Sequence, residues 1–317
     1  MNGISNRTVR MGVGIALATA LLSGVSVFVN SFGVKRVPDP FVFTTAKNLI
    51  VAMLLVAAIG SWIARDEFKR LSASNWTKMA ILGAVGGGIP FLMFFYGLRE
   101  ASAPSAAFMH KTLFIWVTIL AIPILKERLG AVQVTALVVL LFGNLAVGFR
   151  ASTFEFGKPE LFTLGATMIW AVEAVVARKF LSDGMSTIVA AVGRMGFGAL
   201  VMLGFIVVTG RGDAFASMNV SQWGWVLLTS VFLVAYVVGY YSALKSAPAT
   251  VVASVLVIGS VVTSGLHYAF NNRTYEPTQI AGLAILLIGA ATLAYWTWST
   301  GNQTHGSSEQ EVELERG

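Results

Sequence analysis

The stretch from Tyr96 to Gly143 returns in degraded form from Tyr240 to Gly289. A tyrosine, an Ala-Pro pair (Ala103-Pro104, Ala247-Pro248), a long apolar run, a short polar break, a glutamine (Gln133, Gln279) and a glycine (Gly143, Gly289) recur in one order. The tyrosine and Ala-Pro landmarks come back 144 positions later, and the glutamine and glycine 146 positions later. Two copies that differ by so little are a duplication, so the fold must give both halves the same shape.

Hydrophobic residues make up 56% of the chain and charged ones 12%, with a mean hydropathy of +0.75. Soluble domains carry about 25% charged residues, so this is an integral membrane protein. A helix needs about 20 apolar residues to cross the hydrocarbon core. Runs of that kind lie near 11–33, 40–64, 77–98, 103–125, 130–149, 160–181, 187–209, 222–244, 248–270 and 277–299. They are continuous rather than alternating, which predicts helices and not a barrel. The first follows Arg7 and Arg10 as a signal peptide would, but it is long and similar runs succeed it, so it reads as a retained span.

The formal charge of +7 could point to nucleic acid, yet the basic residues sit mainly between spans. With the N-terminus inside, twelve lysines and arginines fall on the inner side and seven on the outer. That bias favours both termini on the cytoplasmic side; a bacterial inner (plasma) membrane is the expected location, and no nucleic-acid partner is expected. The acidic tail over 301–317, with Glu309, Glu311, Glu313 and Glu315, reads as disordered. With no cysteine, disulfides and thiolate chemistry are excluded.

Matched span by span, residues 11–150 and 158–299 hold five helices each, and Lys47 in span two falls on Arg194 in span seven. An odd number of spans inverts the second copy. The expected fold is therefore all-α, ten transmembrane helices as two inverted five-helix repeats around a central cavity. Inverted repeats are the recurrent construction of secondary transporters, whose central site opens to one side and then the other.

The same residues resemble a known family. Ala-Pro opening span four, Lys126-Glu127-Arg128-Leu129 at its end, Gln133 and the Gly143 exit, repeated in the second half, look like the drug/metabolite transporter superfamily, in its EamA-type branch. The resemblance covers residues 11 to 299 and implies a central cavity lined by spans one, three, four, six, eight and nine. Its members export amino acids or carry sugars, nucleotide sugars and other metabolites, so it implies transport without naming a substrate. One departure is visible, since the position of Glu127 is held by Arg273 in the second copy.

Ionisable groups inside spans are costly and are functional candidates by default. Lys47 and Arg194, as repeat mates, are either bundle-steadying charges or outer and inner stations for a substrate anion. Lys111, flanked by His110 and Thr112, has no charged counterpart near Val255 to Val257. It is expected to recognise a carboxylate or phosphate, the alternative being a pair with Glu173. Glu173, near the middle of span six, is the candidate for coupling to protons, the alternative being a fixed ion pair with Lys111 or Arg194. Tyr96 and Tyr240, as repeat mates, and Trp116 and Trp170, in spans the resemblance places at the cavity, are candidate substrate walls. Trp62, Trp76, Trp223, Trp225, Trp296 and Trp298 lie near helix ends as interface residues. Gly86-Gly87-Gly88-Ile89-Pro90 in span three, with no counterpart at 230–234, is either a close-packing segment or a one-sided hinge at Gly87, Gly88 and Pro90.

Three histidines without metal-binding spacing give no support for a metal site, and nothing in the sequence calls for a cofactor. The expected function is a secondary transporter, an exporter by resemblance, of a small zwitterionic or anionic metabolite such as an amino acid. Its partners are the bilayer, the substrate and protons, and it works as monomer or homodimer. Cationic drug efflux is disfavoured because basic residues outnumber acidic ones inside the spans, and an intramembrane enzyme lacks a nucleophile with its base.

Overall fold

The structure, a computed structural model, describes residues 5–58, 68–100, 108–148 and 157–301. The Ala103-Pro104 landmark, Trp62 and the tail beyond Gly301 lie outside the described residues. Among the described residues ten helices are long and apolar enough to span a bilayer: α1 (Asn6–Arg36), α2 (Pro40–Ala58), α3 (Ala73–Gly97), α4 (Phe108–Leu125), α5 (Ala131–Gly148), α6 (Lys158–Ser182), α7 (Thr187–Val208), α8 (Val220–Ser246), α9 (Ala249–Asn271) and α10 (Pro277–Thr300). The ten expected helices are present, and no strand occurs among the described residues.

Several helices begin where a short polar side chain can satisfy a free amide. The hydroxyls of Ser5, Ser72 and Ser186 accept from the amides of Thr8, Asn75 and Val189. The repeated glutamines do the reciprocal task. Gln133 Oε1 takes the amide of Gly130 at 2.9 Å, and Gln279 Oε1 that of Glu276 at 3.2 Å.

The repeated glycines mark a helix crossing. A Cβ on Gly143 would lie 2.9 Å from Leu286 Cγ, and one on Gly289 would lie 3.0 Å from Leu140 Cγ. Leu140 and Leu286 are themselves repeat mates, so α5 and α10 cross with mirrored contacts. Lipid supplies no hydrophobic drive for helix association, and small residues compensate by letting backbones approach. The other main packings, α1 on α8 and α9, α2 on α7, and α3 on α6 and α7, likewise join one repeat to the other.

Two symmetric interruptions were not expected from the sequence. Helix α4 is broken at Thr112, and α9 at Val257 between Ala249–Leu256 and Ile258–Asn271. The amides of Thr112 and Val257 each reach back three residues, to Met109 and Ser254, both at 3.2 Å. Both helices also end on a left-handed residue, Lys126 (φ 56°) and Asn272 (φ 50°). Around its break α9 is asymmetric. Residues 249–255 are all buried, whereas beyond Gly259 the helix is half-buried or exposed.

Candidate functional site

At the meeting of α6, α7 and α8 the carboxylate of Glu173 is buried and fully engaged. Its Oε1 accepts the phenol of Tyr241 at 2.5 Å and lies 3.5 Å from Arg194 Nη1, and its Oε2 accepts the phenol of Tyr240 at 3.3 Å. The Arg194 guanidinium lies over the rings of both tyrosines, 5.6 and 5.9 Å from their centroids, and Tyr236 stacks on Tyr240. Of the two partners considered for Glu173, the structure joins it to Arg194 and not to Lys111.

The glycines of α3 close this cluster from the fourth side. Gly83–Gly88 winds as a π-helix, a wider turn than the α-helix on either side. A Cβ on Gly86 would come 2.7 Å from Glu173 Cγ, and one on Gly87 would strike the carbonyl of Arg194. Pro90 has no N–H to offer the carbonyl four residues back, which is that of Gly86. The indole N–H of Trp170 takes its place at 3.0 Å. Trp170 thus completes the backbone of α3 as well as presenting a wall.

That wall continues into α3 and α4. The ring of Trp170 meets Phe91, Phe94 and His110 at centroid distances of 5.2, 5.5 and 5.0 Å. His110 Nδ1 is buried without a hydrogen-bond partner. The next residue, Lys111, is half-buried at the break in α4 and has no ion-pair or hydrogen-bond partner among the described residues. Trp116, one turn on, is half-buried and donates its indole N–H to Thr112 Oγ1 at 3.1 Å, bracing the break.

Lys47 is only 7% exposed, yet no acid reaches it among the described residues. Its Nζ donates to Asn30 Oδ1 at 3.3 Å and lies 5.5 Å from the ring of Phe43. The repeat mates therefore differ, since Arg194 has an acid and Lys47 an amide. The repeated tyrosines also part company. Tyr240 is buried on Glu173, while Tyr96 is 43% exposed and packs on Phe162 at 4.7 Å.

Some contributors escaped sequence reasoning. Tyr241 and Asn30 carry no charge and stand in no motif, though the Tyr240-Tyr241 pair was visible. Glu127, set apart in the sequence as unmatched, turns out to cap the first turn of α9. Its two carboxylate oxygens accept the amides of Ala249 and Thr250 at 2.6 and 3.2 Å. Beside it Arg178 donates to the carbonyl of Leu244 near the end of α8, at 2.5 Å.

The chain matches the model of a family described as the EamA-like transporter family twice, over residues 10–149 and 157–295. It is 23% identical over 264 residues to an uncharacterized transporter of Clostridium kluyveri, covering 81% of this chain and 84% of that one. It is 22% identical over 253 residues to the uncharacterized transporter YyaM of Bacillus subtilis, covering 77% and 81%. A chloroplastic WAT1-related protein of Arabidopsis thaliana is 25% identical over 266 residues, 80% of this chain and 63% of that one. A solved crystal structure superposes with a TM-score of 0.73 over 92% of this chain and 99% of its own, at 20% identity, a likeness of fold alone.

Proposed function

Because the chain belongs to the EamA-like transporter family of membrane transporters, we propose that it is a secondary transporter exporting a small zwitterionic or anionic metabolite, such as an amino acid, by alternating access. The observation that carries the substrate class is the tally of buried charge. Glu173 is committed to Arg194 and the buried Arg178 to the carbonyl of Leu244, which leaves the buried Lys47 and the half-buried Lys111 inside the spans with neither an acid nor a backbone carbonyl among the described residues. An ammonium held at membrane depth with no counter-ion is unfavourable, and a ligand carboxylate or phosphate would relieve it.

Lys111 is the recognition point we favour, at the interruption of α4, with Trp116 and Trp170 as walls. A broken helix leaves backbone polar groups that can turn to a ligand, as discontinuous spans do at transporter sites. Lys47 with Asn30 is a second cationic station. Arg194, Tyr240 and Glu173 form the coupling element, in which proton exchange at Glu173 would have to loosen the tyrosine and arginine contacts. The wholly buried first half of α9, its inner half by the charge bias, supports a resting shape closed on the inner side. Tyr96, exposed beside Phe162, is a weaker candidate for the wall than Tyr240.

Purified protein screened by thermal shift against amino acids, organic acids and sugar phosphates would supply the probe. In liposomes that probe should exchange by counterflow without chemical change, and Lys111→Met should reduce its affinity about 10–100-fold, as expected for a lost charge-assisted contact. Stabilisation only by cationic compounds would sink the proposed substrate class, and a converted product would overturn transport.

A further inference from the structure

A cavity of about 550 Å³ opens at the membrane face where α3 begins, α6 ends and α7 begins. That volume falls within the ~300–1,000 Å³ of small-molecule sites. It lies away from Glu173 and Lys111, and its polar lining comes from Arg70, Asn75, Lys78 and Ser186, with Asp183 the one acid among the described residues and Met185 and Val189 as buried floor. Neither Arg70 nor Lys78 is ion-paired among the described residues. The ammonium of Lys78 is poised over the ring of Phe180, 5.4 Å from its centroid.

We infer that this cavity holds the phosphate of an anionic phospholipid headgroup. Three observations converge on that ligand. Two unpaired cations and a hydroxyl match a phosphodiester, and basic pockets between spans on the cytoplasmic side are where such headgroups dock. By the distribution of lysine and arginine this face is the inner one, where anionic lipid is met. The adjoining surface is lipid-facing, with Trp76 (47% exposed) next to Asn75, and Ile81 (40% exposed) further along α3. A soluble phosphate would make no use of that apolar flank; an acyl chain would lie along it. The lipid would tie α3 to the turn between α6 and α7, both of which pack on the Gly83–Gly88 turn.

The test uses the full chain in neutral detergent, with phosphatidylglycerol titrated in and thermal stability as readout. Saturable stabilisation is expected. Arg70→Gln with Lys78→Gln should weaken the titration about thirtyfold, at about 1 kcal/mol for each basic residue. Arg128→Gln with Lys245→Gln, which removes two exposed charges from the same face outside the cavity, should leave it unchanged. If the Arg70/Lys78 variant is already unstable without lipid, Asp183→Asn decides, since removing the lone acid should tighten binding severalfold. Equal stabilisation by phosphatidylcholine or by inorganic phosphate would overturn the assignment. So would equal losses in both double variants, or no gain from Asp183→Asn.

Discussion

At the scale of single residues, the arginine–glutamate pair shows how costly it is to have one half of a buried interaction. Glu173→Gln would leave the Arg194 guanidinium buried among aromatic rings with no acid, a loss of about 3–5 kcal/mol. Restoring neutrality with Arg194→Gln as well should recover much of it. The double variant is therefore expected to melt above the single in thermal unfolding, and a double that melts as low as the sum of the two singles would show that the residues do not act as a pair. If Glu173 also couples transport to protons, the folded double variant should keep counterflow and lose uptake driven by a pH gradient. Much of this was readable beforehand, since mid-span charges stand out in an apolar sequence. The tyrosine that binds Glu173 most closely was not, because a phenol among other aromatics gives no signal until the helices cross.

At the scale of elements, α3 owes its shape to a missing donor and three missing side chains. Gly87→Ala would place a methyl against the backbone carbonyl of Arg194, which cannot rotate away, so the variant should fail to accumulate as folded protein in detergent. Pro90→Ala is milder. It supplies an N–H able to take the Gly86 carbonyl from Trp170. If Gly87, Gly88 and Pro90 act as a hinge, Pro90→Ala will transport more slowly at little cost in stability, and unchanged kinetics would refute the hinge. Sequence reasoning reached the glycine run because composition alone reveals it, and it reached the glutamine and glycine landmarks because repetition does. It passed over the breaks at Thr112 and Val257, where neither glycine nor proline interrupts the apolar pattern. It also missed Glu127 on α9, a cap joining residues 122 and 123 positions apart.

At the scale of the whole molecule, the two repeats match in pattern yet are held by different chemistry. Glu127 clamps the start of α9 through two backbone amides, and its repeat counterpart, Arg273, has no acceptor with which to do the same. If the capped start of α9 is the inner closure of the proposed cycle, no inverted copy of it can be built at the opposite face with equal strength. Glu127→Ala should shift the resting population toward the inward-open form. Because the chain lacks cysteine, single cysteines introduced near the inner end of α9 can report that shift by their labelling rate, and an unchanged rate would count against the clamp.

The packing of α5 on α10, α1 on α8 and α3 on α6 has another consequence. Half of this chain is not a smaller version of it, because each half's apolar faces are shaped for the other. Cut between residues 150 and 157 and produced alone, either fragment should be cleared by quality-control proteolysis. Produced together, the two should find one another in the bilayer and restore transport, behaving as the unequal subunits of a heterodimer that the intact chain merely keeps at a fixed one-to-one ratio.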